Sequence, residues 1–195
     1  MKVYHMSDKL KLDDELKCDF SGNSSLALPF VQALEQSKDC FYAMVLNGKY
    51  LRAVLGKFDL WEWSDYIKWS VEGAFEYIRK TEFPDCCSRI NCNYYYDSLE
   101  NCRILYDYDW GQASEEERAA IHLFEIELDD DEPQFFDMRL YDEGYTAMEE
   151  REDVDAVLSA ARKYFSKMKS DNPVLEILSS KSAKSVCDIT EFLNK

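Results

Sequence analysis

The sequence predicts an α+β fold, with helices concentrated in the N-terminal half and antiparallel strands in the second half. Three patterns carry that expectation. Ile90, Cys92, Tyr94 and Tyr96 alternate with Asn91, Asn93 and Tyr95, the period of a half-buried strand. Ile67, Val71, Ala74, Phe75 and Ile78 recur at helical spacing. Phe124, Ile126 and Leu128 alternate with Leu123, Glu125 and Glu127, the mark of a strand with one wet face.

Taken in order, Lys2–Met6 reads as an opening strand, with Val3 and His5 on one face and Tyr4 and Met6 on the other. Ser7–Ser25 is polar and is expected to be a loop that can flank a site. Leu26–Gln36 is expected to be a helix, with Pro29 in its first turn, where a missing N–H costs little. Cys40–Leu55 is a second helical stretch that Asn47-Gly48 can split, and Gly56–Trp61 is a connector. Ser64 is placed to cap a helix over Asp65–Lys80 whose exposed face carries Glu72 and Glu76 ahead of Arg79 and Lys80. Phe83-Pro84 stops that helix, since a residue before proline avoids the helical region.

The central strand is expected to enter on Ser88-Arg89 and run to Tyr96, with Ser98 capping a helix striped by Leu99, Cys102 and Tyr106. Ser114–Arg118 is one helical turn and Ile121–Leu128 a strand. Asp129–Glu132 is an acidic turn without the spacing or glycine of a calcium loop. Gln134–Leu140 is expected to be a short strand. Asp153–Lys167 is a helix with Val154, Val157, Leu158, Ala161 and Phe165 on one face. Val174–Leu178 and Ser185–Leu193 close the chain as strands.

A length of 195 residues fits one domain over 1–195 with a self-sufficient core. An apolar fraction of 46% with 14% aromatics excludes a disordered chain. The net charge of −16, with 23 scattered basic residues, argues against binding a nucleic-acid backbone and permits either a basic protein partner or a toxin-neutralising, nucleic-acid-mimicking role. No apolar run is long enough to span a bilayer and no signal-peptide segment stands at the N-terminus, so a cytoplasmic protein without a membrane partner is expected. The seven cysteines are odd in number and lack paired ligand spacing, and only His5 and His122 accompany them. No metal site is expected, and the thiols read as small hydrophobes. A cysteine hydrolase built on Cys86, Cys87 and His122 lacks a base and an orienting group at recognisable spacing.

Two places suggest chemistry. Ser88-Arg89 would set a hydroxyl and a cationic fork at one end of a sheet, where they could hold a phosphate or ribose; the alternative is that Arg89 pairs with a carboxylate. Glu176 is the one acid within Val174–Leu178, and a carboxylate among apolar neighbours needs a partner or a cleft. On a rigid strand at a pocket floor, it could stabilise the cation that develops at an anomeric carbon.

The order of Tyr4-His5, Phe75-Glu76-x-x-Arg79 with Phe83-Pro84, Ser88-Arg89 before an aromatic strand, then Tyr164 and Pro173-x-x-Glu176-x-Leu178, resembles a bacterial family of uncharacterised proteins related to the ADP-ribosyltransferase fold. The resemblance spans most of the chain; its weight lies in the order of short motifs. It implies a split, mostly antiparallel sheet that clamps NAD. It assigns His5 to a ribose hydroxyl, Ser88 or more plausibly Tyr94 to the nicotinamide, Arg89 to the pyrophosphate, and Glu176 to the nicotinamide ribose as the glycosidic bond breaks. The middle motif departs from the usual Ser-Thr-Ser. Two readings follow: an NAD-using ADP-ribosyltransferase or glycohydrolase, and a catalytically silent acidic module of the same fold that docks a basic protein. The first requires His5 and Glu176 to line one groove.

Overall fold

The computed structural model describes residues 1–18, 21–55, 63–151 and 153–193. The expected connector at 56–61 lies outside them. The chain comprises two compact units: Met1–Asp19, Cys92–Phe135 and Val174–Lys195 form one, and Phe20–Asn91 with Phe136–Pro173 the other. In chain order the elements are β1 (Lys2–Ser7), β2 (Glu15–Leu16), α1 (Ser21–Gln36), α2 (Lys38–Leu55), α3 (Trp63–Glu82), β3 (Asn93–Tyr96), α4 (Leu99–Trp110), α5 (Glu115–Ala119), β4 (His122–Leu128), β5 (Gln134–Asp137), α6 (Met138–Arg151), α7 (Val154–Phe165), β6 (Leu175–Ser179) and β7 (Ala183–Asp188).

The helical unit is built around α3. Residues Ser70 to Glu76 are buried without a break, so the middle of α3 is enclosed all round and Glu72 and Glu76 do not lie on the exposed face expected. Small side chains make this possible. A Cβ on Gly73 would lie 2.6 Å from the Phe30 Cβ and 3.0 Å from the Ala27 carbonyl, so α1 touches α3 nearly backbone to backbone. An aromatic cluster fills the other side: Phe75 meets Tyr141 at 5.2 Å and Tyr164 at 5.5 Å, and Phe136 stacks on Tyr164 at 4.7 Å. Four local expectations are corrected here. Pro29 sits well inside α1, because that helix begins at Ser21. Asn47-Gly48 does not split α2, and α3 begins at Trp63, which puts Ser64 inside its first turn. Residues 138–140 are helical, as the start of α6, whose buried Leu140, Tyr141, Gly144, Ala147 and Met148 form a helical stripe. With α6 and α7, helices are not confined to the first half of the chain.

The other unit carries an open antiparallel sheet of order β2-β7-β4-β1-β3-β6-β5; the unit boundary falls inside β5. Ser98 caps α4 as expected, accepting from the Asn101 N–H, and Ser114 and Glu117 form a capping box on α5. Directly paired residues share a face, which sorts the side chains. One face holds Val3, His5, Tyr95, Phe124, Ile126, Leu128, Ile177 and Ala183, through the pairs Val3↔Ile126, His5↔Phe124, Leu128↔Ala183 and Tyr95↔Ile177. All of these but His5 belong to one buried cluster, which Leu16 joins and against which Leu10 packs. The other face holds Tyr4, Tyr96 and Glu176 in one row and Lys2, Glu127, Lys184 and Glu15 in another.

Candidate functional site

The junction of β1 with β3 is the most unusual part of the sheet. β1 pairs with β4 through six residues but with β3 only through Tyr4↔Tyr96. Beside that single pair, His5 Nδ1 lies 2.8 Å from the Tyr94 carbonyl oxygen. A carbonyl only accepts, so Nδ1 carries the proton and Nε2 keeps its lone pair. An imidazole thus replaces the ladder bond that would otherwise follow. The ring is half-buried and meets Tyr95 edge-on at 6.0 Å. Burial holds its pKa below the ordinary histidine value, with the Tyr94 hydrogen bond opposing weakly. The result is a neutral ring with one fixed acceptor nitrogen.

Glu176 is not on that face. It pairs with Tyr96, which pairs with Tyr4, whereas His5 is the next residue along β1 and points the other way. Its residue exposure is 1%, so the carboxylate is part of the packed interior. The groove expected to be lined jointly by His5 and Glu176 is therefore not formed by the side chains of this sheet. Tyr94 is split between the two sites: its carbonyl holds His5, while its side chain shares the Glu176 face through Tyr94↔Leu178. At the positions of β6 on the His5 face stand Leu175, Ile177 and Ser179, none of them an acid.

Ser88 and Arg89 belong to the helical unit. The strand expected from Ser88 begins only at Asn93, so neither residue stands at a strand end. Ser88 Oγ donates to Glu76 Oε2 at 2.8 Å. Arg89 spreads its guanidinium over Glu72, with Nε at 3.1 Å and Nη2 at 3.2 Å, while Nη1 donates to the Tyr164 hydroxyl at 3.0 Å. Its carbon lies 4.0 Å from the Tyr141 ring centroid. With 5% of its surface exposed, Arg89 is committed to Glu72 and not presented to a pyrophosphate. One turn along α3, Glu76 receives Arg79 at two 2.9 Å contacts, and Arg79 Nη1 also donates to the Pro84 and Cys86 carbonyls. The sequence allows both pairs, Arg89 with a carboxylate and Glu76 with Arg79 at helical spacing, but sets Glu72 and Glu76 on an exposed face, whereas they are buried. The usable signal was the run Ser70, Gly73 and Ala74, small residues that let neighbouring helices close over Glu72 and Glu76.

Two of the remaining thiols are poorly disposed to act as nucleophiles. Burial pushes the Cys86 thiol up and the Cys102 thiol up to about 12, which opposes thiolate formation. His122 is held near Asp188 and Thr190 in the sheet unit, and Cys86 and Cys87 belong to the helical unit. Among the described residues, no three His, Cys, Asp or Glu side chains converge as metal ligands. No described helix is long and apolar enough to cross a membrane.

Three hollows formed by described residues of the sheet unit have linings that do not include His5, Tyr94 or Glu176. One, of 630 Å³, is walled by Asp13, Glu15, Glu127 and Asp129, with Lys184 among them. A second, of 410 Å³, lies over Lys2, Glu125, Glu127 and Val186. A third, of 260 Å³, is bounded by Lys2, Tyr4, Leu99, Glu125 and Phe192. Shared residues join them into one trough with an acidic wall.

These features define a mixed α/β protein with an open antiparallel sheet and a solvated acidic face. Residues 3–191 match the family described as protein of unknown function DUF2441, and the chain belongs to that family. No curated protein matches the chain.

Proposed function

We propose that this protein is a catalytically silent binding module that docks a basic protein partner. The observation that carries the reading is the placement of His5 and Glu176 on opposite faces of the sheet, with Glu176 buried. Transfer chemistry on NAD needs a carboxylate beside the breaking glycosidic bond, and the His5 face offers an isoleucine and a serine instead. The charge of −16 supports a cationic partner. The test is nicotinamide release from NAD, followed chromatographically for the native chain and Glu176→Gln. The expected result is no release from either, with partner binding unchanged by the substitution. Release by the native chain that Glu176→Gln abolishes would overturn the reading.

One observation favours the second reading, an NAD-dependent ADP-ribosyltransferase or NAD glycohydrolase. The single-pair junction between β1 and β3, bridged by His5, is the kind of break that a split, NAD-clamping sheet calls for. The free Nε2 acceptor suits a ribose hydroxyl. Calorimetric titration with NAD decides it: measurable heat in the native chain that His5→Ala removes supports this reading, and no heat eliminates it.

A further inference from the structure

We propose that the open face of β1, β4 and β7 is the docking surface itself, and that its occupant is an extended segment of a partner protein with basic side chains at every second residue. The inference rests on the binding-module reading and adds where the partner lies and what it looks like.

Toward the Lys2–Glu127–Lys184 end this half of the sheet is covered on one face only, whereas Met6 and Leu123, further along the reverse face, are buried. Val3, Phe124, Ile126 and Ala183 are buried beneath Leu10 and Leu16, while Lys2, Glu127, Lys184 and Val186 on the reverse face are exposed. Val186 leaves 40% of its surface open in the middle of the trough, a place for an aliphatic contact between charges. The carboxylates are periodic. Glu125 and Glu127 lie two apart on β4, so their side chains repeat at about 7 Å, and Asp129 continues the series just beyond the strand. An extended chain presents its own side chains with the same repeat, so lysines or arginines two apart fall opposite successive acids.

The local cations do not neutralise the row. Lys2 takes Glu125 at 2.5 Å, Lys184 takes Asp13 at 2.9 Å, and Lys17 takes Glu15 at 3.2 Å. Glu127 and Asp129 have no described cation within ion-pair distance, and both wall the 630 Å³ hollow. Lys2 and Lys184 are more than half exposed, so an incoming cation displaces them without uncovering a buried charge.

The test uses the full chain and two synthetic probes of equal composition, one with lysine and threonine alternating and one with the lysines in a block. Affinity is read by fluorescence anisotropy at low salt. The alternating peptide is expected to bind more tightly. The Glu127→Lys, Asp129→Lys double variant is expected to weaken it at least tenfold, and the Glu115→Lys, Glu116→Lys pair on α5, an equal change in net charge, by less than threefold. The milder Glu127→Gln, Asp129→Asn pair is expected to fall between. If both charge-reversal pairs weaken binding equally, or the two peptides bind alike, the surface is wrong while the binding-module reading stands. If neither peptide binds the native chain, the binding-module reading falls with it.

Discussion

The helix α3 and the strand β4 each carry two glutamates at the repeat of their element, and the two pairs meet opposite fates. Glu72 and Glu76 are buried, and each is held by an arginine at two contacts. Glu125 and Glu127 lie on a wet face, one beside a lysine and the other without a described cation within reach. The difference is not in the glutamates or in their spacing. It lies in what the fold closes over them: helices around the middle of α3, and solvent on one side of β4. A carboxylate inside must have a hydrogen-bonded cation, because water is no longer there to solvate it; one outside needs none and stays available.

The sharpest way to break this contrast is Arg89→Met, which leaves Glu72 buried without its cation and removes the donor to Tyr164. A loss of about 3–5 kcal/mol is expected in urea denaturation. Adding Glu72→Leu should restore much of it, since an apolar pair of similar volume avoids the desolvation cost. A single variant no less stable than the native chain would show that the buried pair contributes nothing. Arg79→Ala is expected to cost about 2–3 kcal/mol, less than Arg89, because Glu76 keeps the Ser88 hydroxyl and its surroundings are more open.

A smaller effect is expected at the β1–β3 junction, and its sign is fixed. Burial lowers the folded pKa of His5, so below about pH 6.5 the unfolded chain takes up a proton that the folded chain resists. The contribution is complete above that pH and is lost as pH falls toward the folded value. Stability of His5→Gln measured against pH should show a flatter slope on the acid side; an unchanged slope would mean that His5 titrates normally. Smallest of all, Glu127→Gln should change stability by about 0.5 kcal/mol or less. A larger loss would mean that β4 depends on its charges as α3 does.

Much of the secondary structure was legible because it follows from short-range pattern. The stripes of α3 and α7, the alternation of β4, and the cap at Ser98 each need only a few neighbouring residues. The alternation of Phe124-Glu125-Ile126-Glu127-Leu128 even announced the wet face that forms the trough. The stretch from Ser88 to Asn91 misled, because its alternating residues satisfy a strand template while Ser88 and Arg89 are drawn to α3 by two carboxylates. Helix α6 was overlooked because Gly144 reads as a breaker; here it lets α6 pack closely, since a Cβ on it would lie 2.9 Å from the Phe75 ring.

By itself, then, the chain determined where most helices and strands run, which faces are apolar, and that the molecule is acidic, since these depend on residue type and spacing alone. Only the tertiary structure decided that Arg89 faces Glu72 and not a ligand, and that His5 and Glu176 part company. Strand register is set by partners far away in the sequence, and moving a side chain one position along a strand turns it to the opposite side of the sheet.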